Sequence, residues 1–287
     1  MLIYLNIVVA GMLTGAVYGL MALGLSIIFG VIKVVNFAHG EMMVLGMYAA
    51  LLLNQYFGLD PLLMVPAIAA LLFVFGYWLQ RGLINRFITR PDHEQFILLL
   101  AVAILLTSST LMAFGPDARN VQVGYAYESY ELRGLLFDKV RVLAAIGAVG
   151  GVAVLTLFFR FTRTGKAIRA CADNQIGAQV VGLDVKRLYA ITFGLGAACV
   201  GAAGALLLLL VDVQPYIASD YTLLAFIIVI LGGLGSMPGA LLGGLLVGVS
   251  EALSGFIIMP SLKSMFSFAL LIIVLLVRPQ GLLGRRA

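Results

Sequence analysis

The chain has 287 residues, of which 62% are hydrophobic and 11% charged, with a formal net charge of +5. Soluble domains carry about 25% charged residues, so this composition excludes a disordered chain and argues against a water-soluble globule. The 33 glycines suit membrane helices, whose backbones approach closely at small residues.

The charged residues divide the chain into apolar runs. Met1–Ile32 holds no charge and no Lys or Arg precedes Lys33, so this stretch predicts a first spanning helix and not a cleaved signal peptide. A polar intrusion follows, Val34-Val35-Asn36-Phe37-Ala38-His39-Gly40-Glu41, in which Asn36 is placed to cap the next helix. Met42–Leu59, Pro61–Gln80, Gln95–Pro116, Val142–Phe159 and Leu188–Val211 are each free of charge, and each suits one crossing, which takes about 20 apolar residues. The outer region 116–140 alternates aromatic and polar residues around Tyr125, Tyr127 and Tyr130, which predicts a short hairpin or an irregular loop. Tyr221–Ser250 is 30 residues long (250 − 221 + 1). It predicts two helices joined at Gly232-Gly233-Leu234-Gly235-Ser236-Met237-Pro238-Gly239, with Ser236 as cap and Pro238 in the first turn. Ala252–Val277, interrupted only by Lys263, closes the series. The runs are continuous, which excludes a β-barrel.

Together they predict an all-α polytopic membrane protein in a single domain, 1–287. It has eight or nine membrane segments, two internally related halves and discontinuous helices. Thirteen of the 18 basic residues fall at Lys33, in 81–94, in 160–187 and after Val277. The positive-inside rule makes these segments cytoplasmic, with the N-terminus outside and the C-terminus inside. Arg119, Arg133, Lys139 and Arg141 are balanced by four acids in the outer region. The net positive charge is thus a signal of topology and does not point to nucleic acid.

Few polar residues remain for function. The breaks at Asn36–Glu41 and Gly232–Gly239 occupy similar places in the two halves, and paired broken helices point to a transport path. Asn36, His39, Glu41, Gly232, Gly233, Gly235 and Ser236 are therefore candidates for the pathway. The alternative is a pair of cytoplasmic-edge turns with no contact to cargo, with His39 packed and Glu41 paired to Lys33 or to a partner. Glu251 joins the candidates as a carboxylate after a long uncharged run, against an interfacial residue near a helix end. The paired glycines 232–233 and 243–244, with Gly11 and Gly15, suit close helix packing. Cys171 and Cys199 are poorly placed to pair, and no metal framework is spelled. Within the loop 163–184, Gly165 to Gly182 predicts a short Ala-rich helix with Lys166 and Arg169 on its basic first turns and Gly182 as a left-handed cap. It docks on a soluble partner or lies on anionic headgroups. Thr164-Gly165-Lys166-Ala167 is not a phosphate loop, since Arg160 stands where glycine is needed and Ala167 where Ser or Thr is needed. No catalytic constellation is present, so the chain is not read as an enzyme.

Asn36-Phe37-Ala38-His39-Gly40-Glu41, then Arg169-Ala170-Cys171-Ala172 with Gly182-Leu183, then Leu231 to Ala240, and the ending Leu276 to Gly284 resemble the LivH-type permease of branched-chain amino-acid ABC importers. The likeness spans nearly the whole chain. It implies a bacterial inner-membrane importer for branched-chain or other hydrophobic amino acids. Relatives of this kind also carry urea, short amides and other small solutes. It further implies a second, LivM-like permease, two cytoplasmic ATPase subunits holding ATP and Mg, and a periplasmic substrate-binding protein. This chain itself binds no cofactor. The resemblance matches the 163–184 helix to the family's coupling helix, with Gly165, Lys166, Arg169, Ala170, Ala172, Asp173, Asn174 and Gly182 facing the ATPase. The rival from another class is an ion-coupled transporter or channel built on His39, Glu41 and Glu251.

Overall fold

The computed structural model describes residues 2–88, 90–132, 135–259 and 262–284. Arg133, Arg285 and Arg286, which enter the charge argument above, lie outside them. In chain order the elements are α1 (Leu2–Ile32), α2 (His39–Phe57), α3 (Pro61–Gly82), α4 (Asp92–Phe114), β1 (Ser129–Leu132), β2 (Leu135–Asp138), α5 (Lys139–Phe161), α6 (Arg163–Asp173), α7 (Gln175–Val180), α8 (Val185–Leu207), α9 (Ile217–Gly232), α10 (Met237–Ile257) and α11 (Lys263–Val277). Among the described residues, six helices, α1, α3, α4, α5, α8 and α10, are long and apolar enough to cross a membrane, and α9 and α11 are shorter apolar helices.

Helices α1 and α8 are the most enclosed and pack on each other. Each also lies along a flanking helix, α1 along α10 and α8 along α3. Small residues set these approaches. A Cβ at Gly15 would stand 2.6 Å from the Gly244 carbonyl oxygen, and one at Gly248 would stand 2.5 Å from the Gly15 Cα. Lipid removes the hydrophobic drive between helices, so such contact by van der Waals packing is what holds them together.

Strands β1 and β2 pair antiparallel, Ser129 opposite Asp138 and Tyr130 opposite Phe137. The hairpin sits over the start of α1, where Leu136 N–H donates to Asn6 Oδ1 at 3.1 Å. Near it, the Tyr125 hydroxyl donates to the Asp60 carboxylate, at 2.7 Å from Oδ2. Burial and the adjacent Asp60 push that phenol's pKa upward. Asp60 in turn caps α3, accepting from Leu62 N–H at 2.8 Å.

Three departures from the sequence reading have local causes. The single helix expected from Gly165 to Gly182 is two helices. Asn174 adopts an extended backbone after α6, and its Oδ1 accepts from Gly177 N–H at 2.8 Å, starting α7. Gly182, at φ 84, therefore follows α7 and not α6. Helix α10 runs through Glu251 to Ile257, so the first residues of the expected last stretch, Ala252–Val277, belong to α10, and α11 starts only at Lys263. Asn36 does not cap α2. Its Oδ1 accepts from Ala38 N–H at 3.1 Å in a local Asx turn, and the cap position, Ala38, has no side-chain bond to the helix.

Candidate functional site

Helix α2 starts inside the bundle. The His39 imidazole donates through Nε2 to the Met21 carbonyl at 3.0 Å. Met21 lies 11 residues (32 − 21) before the end of α1, about 16 Å at about 1.5 Å per residue. The segment Lys33–Ala38 thus folds back from the end of α1 to mid-depth, and Lys33, at φ 63, makes the reversal. Helix α9 also starts after a fold-back, the segment Leu208–Tyr216, in which Val213 bridges to Arg119.

The two starts meet. Gly40 N–H, one of the free amides of α2's first turn, donates to Thr222 Oγ1 of α9 at 2.8 Å. A Cβ at Gly40 would fall on the Ala218 carbonyl oxygen, so the contact requires glycine. Glu41 is 5% exposed and lies against Thr222 and Thr107, and among the described residues no hydrogen bond or ion pair links it to Lys33. Its Oε2 has no hydrogen-bond partner among the described residues, and neither has His39 Nδ1. Asn36 and His39 are fully buried beside them. Thr222 was not legible as a site residue, because it stands 182 positions from its partner.

The second break lies elsewhere. Gly232–Gly239 packs against the last turns of α1, with a Cβ at Gly30 3.1 Å from the Gly235 Cα. Ser236 caps α10 as expected, accepting from Gly239 N–H at 3.1 Å, and Pro238 lies in the first turn. Gly233 takes φ 104. The chain's tail closes α9, as Leu282 and Leu283 N–H donate to the Leu231 and Gly232 carbonyls at 2.9 and 3.0 Å. Gly232, Gly233, Gly235 and Ser236 are therefore not brought together with Asn36, His39 and Glu41.

Gly235 and Ser236 are brought instead to α6. A groove of about 840 Å³ joins Gly235 and Ser236 to Lys33, Lys166, Arg169 and Asp173, with Ala170 and Ala172 along the same wall. Gly165 lies beneath, its N–H donating to Thr162 Oγ1 at 2.9 Å. Cys171 faces inward, and burial pushes its thiol upward. Helix α7 shows the opposite pattern, with Ile176 75% and Val180 82% exposed. Arg81, Arg86, Arg160, Arg163, Lys186 and Arg187 sit on the elements that border this end of the bundle.

Glu251 occupies a third place, a cleft at the hairpin end. Ser267 Oγ donates to its Oε1 at 3.3 Å. No hydrogen bond or ion pair joins His39, Glu41 and Glu251 to one another among the described residues.

Residues 7–275 match the family described as branched-chain amino acid transport system / permease component. The high-affinity branched-chain amino acid transport system permease protein BraD of Pseudomonas aeruginosa is 33% identical over 98% of this chain and 96% of its own length. The corresponding LivH protein of Salmonella typhimurium is 33% identical over 96% of this chain and 94% of its own. The LivM protein of Escherichia coli is 26% identical over 93% of this chain and 68% of its own. No solved structure matches the chain. A match over so much of the length leaves one conclusion: the chain is a multi-pass membrane protein and belongs to the family of permease components of branched-chain amino acid transport systems.

Proposed function

We propose that this chain is the membrane permease subunit of an ATP-driven importer that moves branched-chain or other hydrophobic amino acids inward by alternating access. The observation that carries it is the near full-length similarity to permeases named for that transport. The similarity to LivM as well as LivH supports a second, LivM-like permease beside it. Two ATPase subunits holding ATP and Mg, and a periplasmic binding protein, complete the assembly.

In this reading nine helices lie at membrane depth: α1–α5 and α8–α11. The groove end is cytoplasmic, because most Lys and Arg gather there, and the hairpin end with the N-terminus is outside. The halves are related by inversion, α1–α2–α3 to α8–α9–α10. The reciprocal packing of α1 on α10 and α8 on α3 supports this, as do the two fold-backs before α2 and α9. The matching breaks are then Lys33–Ala38 and Leu208–Tyr216, while Gly232–Gly239 answers the short link before α3.

The path descends from the Glu251 cleft through the α2–α9 junction to the α6 groove. Asn36, His39 and Glu41 close it in this state, since all three are buried. Helices α6 and α7 form the coupling knob. The exposed Ile176 and Val180 support a protein partner there, because aliphatic side chains lying outside the bilayer gain by burial in a groove. Nucleotide binding by the partner moves α6. Cargo shifts the equilibrium only by its differential affinity for the two states, so ATP drives the cycle.

The test is leucine uptake by the purified complex in vesicles. Uptake should require binding protein and internal ATP, and Arg169→Glu should abolish it with the complex still assembled. Leucine flux through the isolated chain under an ion gradient, without nucleotide, would overturn the proposal.

A further inference from the structure

We propose that the cleft at the hairpin end is a recognition site for a zwitterionic α-amino acid, with Glu251 holding the ammonium group and Lys263 and Arg141 the carboxylate. This rests on the importer reading above and adds to it a site, a ligand form and a role for three charges. The cleft measures about 430 Å³, within the roughly 300–1,000 Å³ of small-ligand sites. It collects charges of both signs from three separate helices: Glu251 on α10, Lys263 at the start of α11 and Arg141 on the first turn of α5. Ile7, Val211 and Phe256 supply apolar wall. A free amino acid with an aliphatic side chain presents those three features: one cation, one anion and an apolar body.

The charges are held ready and left incomplete. Glu251 makes no ion pair within 4.0 Å among the described residues: hydroxyl groups from Ser267 and Tyr18 lie against it, and Lys263 acts on it from farther off. A carboxylate at membrane depth is costly without a cation in contact, and a ligand ammonium group within hydrogen-bond reach would supply that contact while Lys263 stays free for the ligand's carboxylate. Lys263 is directed inward: its Cε would stand 2.7 Å from a Cβ at Gly255, so the absence of that side chain lets the lysine fold back over α10, one turn from Glu251. Arg141 contacts Asp138 through Nε at 3.3 Å, which leaves its other donors for a ligand. Tyr18 lines the cleft and meets Tyr221 edge-on behind it, ring centroids 6.3 Å apart. Tyr221 is next in sequence to Thr222, which receives Gly40 N–H. The Tyr18 wall of the cleft thus adjoins the helix start that forms the junction.

The experiment uses the full complex with Cys171→Ala, Cys199→Ala and a reporter, Thr14→Cys, in the cleft wall. Maleimide labelling is timed with leucine, with isopentylamine, which lacks the carboxylate, and with 4-methylpentanoate, which lacks the ammonium. Leucine at twice its dissociation constant should slow labelling about threefold, and neither half-ligand should match it at equal concentration. Glu251→Gln should remove the protection. Equal protection by isopentylamine, no protection by leucine, or full protection surviving in Glu251→Gln overturns the site. If Glu251→Gln does not assemble, the three-ligand comparison in the intact cleft decides alone. Leucine uptake by the same complex is followed in parallel. Uptake without protection rejects the site and keeps the importer, whereas absence of any amino-acid uptake rejects both.

Discussion

Gly40 and Thr222 carry the point at which two discontinuous helices hold each other. The first turn of α2 leaves amides without an intrahelical partner, and in lipid each such group needs one from the protein. Asn36 is spent on its own Asx turn, so the hydroxyl of Thr222 does the work of a cap from another helix. Loss of a capping oxygen costs about 1 kcal/mol. Thr222→Ala should therefore lower the melting temperature of the detergent-purified complex, and Thr222→Ser should restore it. Gly40→Ala is expected to do more, since its methyl would meet the Ala218 carbonyl: leucine uptake should fall to background while Thr222→Ser retains it. Uptake by Gly40→Ala equal to the unsubstituted complex would show that the two helix starts separate freely. Asn36, His39, Gly40 and Glu41 could be read from the sequence as a polar break in an apolar chain. Thr222 could not, because one threonine at the start of an apolar run carries no mark of what it faces.

Elements were legible wherever charge and glycine punctuate the chain. The break that splits Tyr221–Ser250 into α9 and α10 was visible because Ser236, Pro238 and the surrounding glycines spell a cap and a helix start. The depth of each element was not legible. Periodicity gives helix length, but the fold-back of Lys33–Ala38 depends on a bond between His39 and the backbone of α1. The α6–α7 break was hidden because Asn174 is compatible with a helix until its side chain bonds Gly177. The glycine face between α1 and α10 shows how an element is fixed to its neighbour. Gly15→Ala puts a methyl 2.6 Å from the Gly244 carbonyl oxygen, and overpacking of this kind costs about 1–3 kcal/mol. Gly82, at the end of α3, has nothing within 4 Å of the same methyl. Gly82→Ala should be neutral or stabilising by up to about 1 kcal/mol. Thermal unfolding of both variants measures the contrast, and an equal response would mean that the α1–α10 contact does not limit stability.

At the scale of the molecule, α9 joins the two regions that the sequence reading placed together and the structure sets apart. Its first turns hold Gly40, and its last carbonyls lie beside the groove that contains α6. Its 16 residues make a rod about 24 Å long at about 1.5 Å per residue. A shift of α6 against Gly235 and Ser236 therefore reaches the junction only if the far end of α9 is held to the groove wall. That hold is made by the tail, where Leu282 and Leu283 N–H pair with Leu231 and Gly232 and where Leu283 also lines the groove. Ending the chain at Arg278 removes both bonds without touching any spanning helix. The expected result is a complex that assembles and hydrolyses ATP but imports leucine at least about tenfold more slowly, corresponding to about 1.4 kcal/mol lost from the coupled step. Restoring residues 279–284 should restore import, whereas restoring them with Leu282→Pro, which lacks the donating N–H, should recover less. Full import by the shortened chain would mean that α9 is held from the groove side by Gly30 and Ser236 alone, and that the tail contributes to stability and not to the stroke.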